Sequence, residues 1–246
     1  MKSSLIVGNW KMYVTSISDA HILATSIRNG VADIPRIEAV VCPPALWLSE
    51  IAGIVKKGAK TKIGIQNISY EMEGAFTGEI SPLMAKEMAE YAIIGHSERR
   101  AYFGETNIDV NEKVLAALKV GLIPIICVGE KKKEATPTEP FKQLEEALKN
   151  VPKNALKNIV VAYEPIWAIG TSLNADAEYV AKVVTKLREL VHAETSILYG
   201  GSVKLDNALS YAKKREIGGL LIGGASVKAN DFIKICKIWS EARDIK

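Results

Sequence analysis

Ile159-Val160-Val161-Ala162-Tyr163-Glu164-Pro165-Ile166-Trp167-Ala168-Ile169-Gly170-Thr171 is the stretch on which the fold turns. Residues 159–163 are apolar, mostly β-branched and do not alternate with polar residues. That pattern marks a strand covered on both faces, as in a parallel sheet, and the run is too short for a buried helix. Glu164 then emerges at the carboxyl edge of the sheet, Pro165 stops the strand, and Trp167 and Gly170 belong to a stiff loop.

Comparable runs begin near Leu5, Ala39, Ile63, Tyr91, Ile123, Ser196 and Gly219, making eight with this one. Segments of helical periodicity lie between them, among them 45–57, 110–119 with Gly121 as its C-cap, 175–191 and 229–241. Strands alternating with helices imply parallel pairing through right-handed crossovers. Eight units of about 30 residues each match a closed (β/α)8 barrel better than an open doubly wound sheet, which usually has fewer strands. No G-x-G-x-x-G follows the first strand, which ends instead in Gly8-Asn9-Trp10-Lys11. The fold class read from this is α/β, one barrel domain over residues 1–246.

Composition agrees with that reading. With 246 residues, 48% of them hydrophobic, the chain can bury either one large α/β core or two small ones, and no linker-like stretch argues for two. The 32 basic and 28 acidic residues are interleaved, with a net charge of +4, which describes a solvated surface and not a nucleic-acid stripe. The slight positive excess suits a small anionic substrate. Cys42, Cys127 and Cys236 are odd in number and far apart, so a reducing compartment is expected and a disulfide framework is not. Neither they nor His21, His96 and His192 have metal-ligand spacing, and no metal is expected. The apolar run after Ser4 is too short for a signal segment, and no run approaches membrane-spanning length. A cytoplasmic protein with no membrane partner is the expectation.

Active sites of (β/α)8 barrels are built at the carboxyl ends of the strands. There the chain places Asn9 and Lys11, Gln66 and Asn67, His96 to Glu98, Glu164, Gly200 to Ser202, and Gly223 with Gly224. A strand-end carboxylate often only caps the next helix. Residues 165–169 do not open a helix, however, and could cover Glu164 and dry it, as a general base requires. Gly95 lets His96 approach the barrel mouth, and if Ser97 to Arg100 open a helical turn, its amide end disfavours imidazolium. A neutral imidazole there could shuttle protons between oxygens, while Glu98 and Arg100 read as an ordinary ion pair. Lys11 reaches over the mouth, where a fixed cation attracts an anion and stabilises oxyanion charge, with Asn9 as a neutral donor beside it. Gly200-Gly201-Ser202 and Gly223-Gly224-Ala225-Ser226 follow strands seven and eight, the usual phosphate site of this architecture, and Gly170 could add an amide.

With these residues in place the chain closely resembles the triosephosphate isomerase family, the eponym of the TIM barrel, over essentially its whole length. The resemblance rests on Gly8-Asn9-Trp10-Lys11-Met12, Gly74-Ala75-Phe76-Thr77-Gly78-Glu79, Gly95-His96-Ser97-Glu98-Arg99-Arg100, Ala162-Tyr163-Glu164-Pro165 with Trp167-Ala168-Ile169-Gly170-Thr171, Tyr199-Gly200-Gly201-Ser202-Val203, and Gly223-Gly224-Ala225-Ser226. It implies interconversion of dihydroxyacetone phosphate and D-glyceraldehyde 3-phosphate through an enediolate, without cofactor or metal. Glu164 would move the carbon-bound proton, and His96 would be the neutral electrophile, a pairing for which this family is itself the established example. Lys11 and Asn9 would bind substrate and stabilise the enediolate; Gly170, Ser202, Gly223 and Gly224 would hold the phosphate; Ile169 and Leu221 would cover the base. Residues 165–176 would form the lid whose closure is likewise an established example from this family, keeping water from an intermediate that otherwise eliminates phosphate. The loop 66–81 is long enough to suggest a job of its own, and the resemblance implies that it docks into a second subunit, giving a homodimer in which Thr77 reaches the partner's active site.

The resemblance has two departures. Ser172-Leu173-Asn174 stands where relatives commonly have Gly-Lys-Thr, and Gly218 where an aspartate is usual. Leu173, lacking the usual charge, is expected to shift the open and closed populations of the lid. Two rival readings stay on the table: an aldolase-like barrel with Lys11 as a Schiff base, separable by borohydride trapping, and a non-catalytic barrel that only binds phosphorylated ligands.

Overall fold

In the computed structural model, which describes residues 3–169 and 174–244, each of the eight apolar runs forms a strand. In chain order they are β1 (Ser4–Asn9), β2 (Ile37–Cys42), β3 (Thr61–Ile65), β4 (Tyr91–Ile94), β5 (Ile123–Val128), β6 (Val160–Tyr163), β7 (Ser196–Tyr199) and β8 (Gly219–Ile222). Every pairing is parallel between neighbours in sequence, and the sheet closes where β1 meets β8 at Leu5↔Gly219 and Ile6↔Leu220. The helices that return the chain outside the barrel are α1 (Ile17–Val31), α2 (Leu48–Val55), α3 (Pro82–Met88), α4 (Ser97–Tyr102), α5 (Asn107–Val120), α6 (Glu139–Ala147), α7 (Ala177–Arg188), α8 (Ala208–Ala212) and α9 (Ala229–Asp244).

Closure explains why the strands read as unbroken apolar runs. Successive side chains point to opposite faces, and both faces are buried. Leu5, Val7, Val160, Ala162, Leu198 and Leu221 fill the barrel interior. Ile6, Val161, Tyr163, Ile197 and Tyr199 pack outward against the helices.

Helix boundaries follow local chemistry more closely than periodicity. The segment expected at 45–57 opens as a 3-10 turn, Ala45–Trp47, after Pro44, and becomes α-helical only at Leu48. α5 starts at Asn107, earlier than expected, because Thr106 and Asp109 form a reciprocal capping box, and it stops as expected at left-handed Gly121, φ 79°. α7 starts at Ala177 because Asp176 accepts the amides of Glu178 and Tyr179. A Cβ on Gly218 would stand 3.2 Å from Ile197 N and 3.3 Å from Ile197 O, close against the start of β7. Among the described residues no helix is long and apolar enough to cross a membrane, and no three His, Cys, Asp or Glu side chains converge as a metal site.

Candidate active site

The barrel order brings the carboxyl ends of the strands around one cleft of about 1000 Å³. Asn9, Lys11, His96, Glu98, Glu164, Ile169, Gly200, Ser202, Leu221, Gly223 and Gly224 all line it. Gly170, Thr171, Ser172 and Leu173 lie outside the described residues.

Asn9 closes β1 and turns its side chain back, so that Oδ1 accepts the Lys11 amide at 3.0 Å. Lys11 has φ 49°, a left-handed conformation uncommon for a residue with a side chain. It is held from both ends, since Gln66 Nε2 donates to the Lys11 carbonyl at 2.9 Å. Strain held by neighbouring hydrogen bonds is characteristic of functional positions. Lys11 Nζ meets Glu98 Oε1 at 2.5 Å in a half-buried ion pair. Glu98 therefore does not pair with Arg100 as its spacing suggests. The Arg100 guanidinium turns inward to the Gly95 carbonyl at 2.8 Å and Asn107 Oδ1 at 2.5 Å, because the helical turn carries the two side chains to different faces. Gln66 and Asn67 support the rim: Asn67 Oδ1 accepts from buried Lys113 Nζ at 2.9 Å.

At the end of β4, Gly95 adopts φ 72°, and a Cβ there would stand 2.8 Å from Val110. The turn leaves His96 as the N-cap of α4, its Nδ1 accepting the Glu98 amide at 3.2 Å. Glu98 Oε2 lies 3.6 Å from the same nitrogen, but with an amide hydrogen already on Nδ1 this carboxylate is a neighbour and not an ion-pair partner. The hydrogen-bond pattern assigns the ring proton to Nε2, the neutral tautomer. Nε2 lies 3.1 Å from Glu164 Oε1. Glu164 Oε2 accepts the Ser97 amide at 2.9 Å, and the carboxylate is only 2% exposed.

Glu164 is wedged between two glycines. A Cβ on Gly129 would fall 1.7 Å from the Glu164 carbonyl oxygen, and one on Gly200 would stand 2.9 Å from its Cγ. Cys127 lies beneath: burial first, and then the Glu164 carboxylate, push its thiol well above the ordinary range, which keeps it a neutral packing group. Beyond Glu164, Pro165 leads into the 3-10 turn Ile166–Ala168.

β7 and β8 supply the opposite wall. Ser202 Oγ donates to the Ala168 carbonyl at 2.8 Å, tying this wall to the loop after Glu164. Gly223 passes close to the Lys11 side chain, where a Cβ would be 3.2 Å from Cε. A 3-10 turn, Gly224–Val227, opens directly on the cleft. Ser226 is fully buried and gives its hydroxyl to the carbonyls of Gly223 at 2.7 Å and Asn9 at 3.2 Å, joining β8 to β1 instead of facing a ligand.

Sequence reasoning passed over the end of β5. Glu130, 1% exposed, accepts Tyr163 OH and Trp167 Nε1 at 2.8 Å each and Tyr179 OH at 3.1 Å, all on Oε1. Burial and the Glu130 charge together push the Tyr163 hydroxyl far up. The available signal was Gly129-Glu130 directly after a strand, the same glycine-and-polar pattern as the other rim ends.

Comparison with known proteins bears on the same site. The model of the family described as triosephosphate isomerase matches residues 4–239. A triosephosphate isomerase of Dehalococcoides mccartyi strain CBDB1 is 46% identical over 246 residues, covering 96% of each chain. Those of Thermoanaerobacter pseudethanolicus and Chloroflexus aurantiacus are each 44% identical, over 96% of this chain and 99% and 98% of their own. A closed parallel barrel, a neutral histidine facing a buried glutamate in its mouth, and full-length similarity lead to one conclusion: the chain belongs to the triosephosphate isomerase family.

Proposed function

We propose that this chain interconverts dihydroxyacetone phosphate and D-glyceraldehyde 3-phosphate, a step of glycolysis and gluconeogenesis. The observation that carries the reading is the buried contact between Glu164 Oε1 and His96 Nε2, 3.1 Å apart in the cleft of a family barrel. Ketose and aldose have the same formula, so the reaction needs only that a proton leave one carbon, protons exchange between two oxygens, and a proton arrive at the other carbon. Glu164 takes and returns the carbon-bound proton. His96 donates from Nε2 to the developing oxyanion and moves protons between the oxygens, with its Nδ1 already occupied by the α4 amide. Lys11 and Asn9 bind substrate and stabilise the enediolate. Glu164 Oε2 holds the Ser97 amide while Oε1 faces His96 Nε2, which orients the carboxylate in the cleft.

The phosphate is held by Ser202 and the amides of Gly223 and Gly224, where a 3-10 turn begins, together with Gly170. Ile169 and Leu221 cover the base, and residues 165–176 close as a lid, as is established for this family. The reaction requires no cofactor or metal. The ion pair of Lys11 with Glu98 speaks against the Schiff-base alternative, which needs a neutral amine.

The protein acts as a cytoplasmic homodimer in which Thr77 reaches the partner's site. Support comes from the loop 66–81, where left-handed Gly74 and Gly78 shape an exposed tip around Thr77. Exposed apolar side chains on this loop and the neighbouring rim, Met12, Tyr13, Tyr70, Phe76 and Tyr102, suit a protein interface.

A coupled isomerase assay on the wild type and the Glu164→Ala variant tests the function. The variant is expected to lose at least about two orders of magnitude in kcat. Retention of most of the activity would overturn the mechanism.

A further inference from the structure

Directly behind the base, the barrel runs out of backbone partners. The β4–β5 ladder ends at Ile94↔Ile126, because left-handed Gly95 turns the chain away into α4. Gly129 lies three residues beyond that rung, and its buried N–H and C=O need partners that no strand supplies on that side. Gln143, on α6 and only 6% exposed, fills the gap with one side chain. Its Oε1 accepts the Gly129 amide at 2.8 Å, and its Nε2 donates to the Gly129 carbonyl at 3.1 Å. A primary amide thus imitates a paired strand residue. Its orientation is fixed by Glu139, one helical turn earlier, whose Oε1 accepts the same Nε2 at 3.1 Å.

On its other side Gly129 is pressed against the base, with room for no Cβ before the Glu164 carbonyl. Its neighbours complete the seam: Glu164 N–H donates to Val128 O at 2.8 Å, and Ile166 N–H to Glu130 O at 3.0 Å. Residues 128–130 are therefore the bed on which Glu164 lies, and the middle of that bed is tied down by Gln143 alone among the side chains described.

We propose that Gln143 is a positioning residue for the isomerase reaction, holding Gly129 by both backbone groups so that the Glu164 carboxylate is carried at the correct place. The inference rests on the function proposed above. Misplacement of a reacting group by about 1 Å can cost on the order of 100-fold in rate, so slack in this bed is read in kcat and not in binding.

Two variants test it, with folding followed by circular dichroism. Gln143→Leu removes both bonds at similar volume, and its kcat is expected to fall about 10-fold or more while KM stays within about twofold. Gln143→Glu keeps an acceptor for the Gly129 amide but sets a carboxylate against the Gly129 carbonyl and Glu139. Its kcat, relative to wild type, is expected to rise several-fold as pH falls from about 8 to about 6, when a protonated carboxyl can again donate. Folded Gln143→Leu with wild-type kcat, or Gln143→Glu with a flat ratio across pH, would overturn the proposal. If the leucine variant does not fold, the pH profile of the glutamate variant decides alone. A wild-type chain without isomerase activity is a different outcome, which overturns the function and this inference with it.

Discussion

His96 Nδ1 accepts the backbone amide of Glu98 at 3.2 Å, so one imidazole caps α4 with one nitrogen and presents the other to Glu164. The cap and the proposed chemistry share that ring, and a substitution can separate them. Asn is among the best N-caps and can accept the same amide, but it places no Nε2 against Glu164. His96→Asn is expected to keep unfolding stability within about 0.5 kcal/mol while kcat falls by roughly 100-fold or more. Urea denaturation and a coupled assay on the same sample read the two quantities. Parallel loss of both would mean that the ring is chiefly a structural cap.

Lys11 is expected to act through its charge on an anionic substrate. Lys11→Met retains the stem but removes the ammonium that now meets Glu98. KM should rise by about 10-fold or more, and kcat/KM should lose most of its dependence on ionic strength. An unchanged KM would remove Lys11 from the substrate site.

Gly200 leaves no room beside the Glu164 side chain. Its missing Cβ would stand 2.9 Å from Glu164 Cγ, so Gly200→Ala should displace the carboxylate before it disturbs the barrel. The expected result is a kcat lowered by about 10-fold or more, with a stability cost of about 1–3 kcal/mol typical of overpacking. Wild-type kcat in a folded Gly200→Ala protein would show that the side chain has another place to go.

Asp109 makes one stabilising contribution depend on pH. The Thr106 hydroxyl, followed by the Thr106 amide, holds its carboxyl below the usual carboxylate range. A depressed folded value means stability that is present above the unfolded carboxylate pKa of about 3.9 and is lost as pH falls through the folded value. Asp109→Asn should therefore be less stable than wild type near neutrality, by roughly 0.5 kcal/mol for so solvent-screened a cap, and the gap should close below about pH 4. Urea midpoints measured across pH would show it, and a gap independent of pH would contradict the assignment.

The architecture was legible because burial on both faces leaves its mark in every strand, as in Ile6 outside and Val7 inside the barrel. The rim was legible for a related reason: glycines and polar residues interrupt those runs where strands end. What could not be read was who pairs with whom across the rim. Glu98 lies beside Arg100 in sequence but meets Lys11, 87 residues away. Glu130 follows the glycine-and-polar pattern of the rim, but its partners, like those of Gln143, arrive only when the elements around β5 are packed together.

The pairing of β1 with β8 also sets a clock on synthesis. Asn9 and Lys11 are made some two hundred positions before the cleft wall at Gly223 that faces them and the Ser226 hydroxyl that fastens it to Asn9. A growing chain can assemble most of its strands and still have no enclosed mouth. An enclosed cleft should consequently arrive late and all at once, when β8 pairs with β1, so that turnover requires a finished circle and does not follow the amount of secondary structure already laid down.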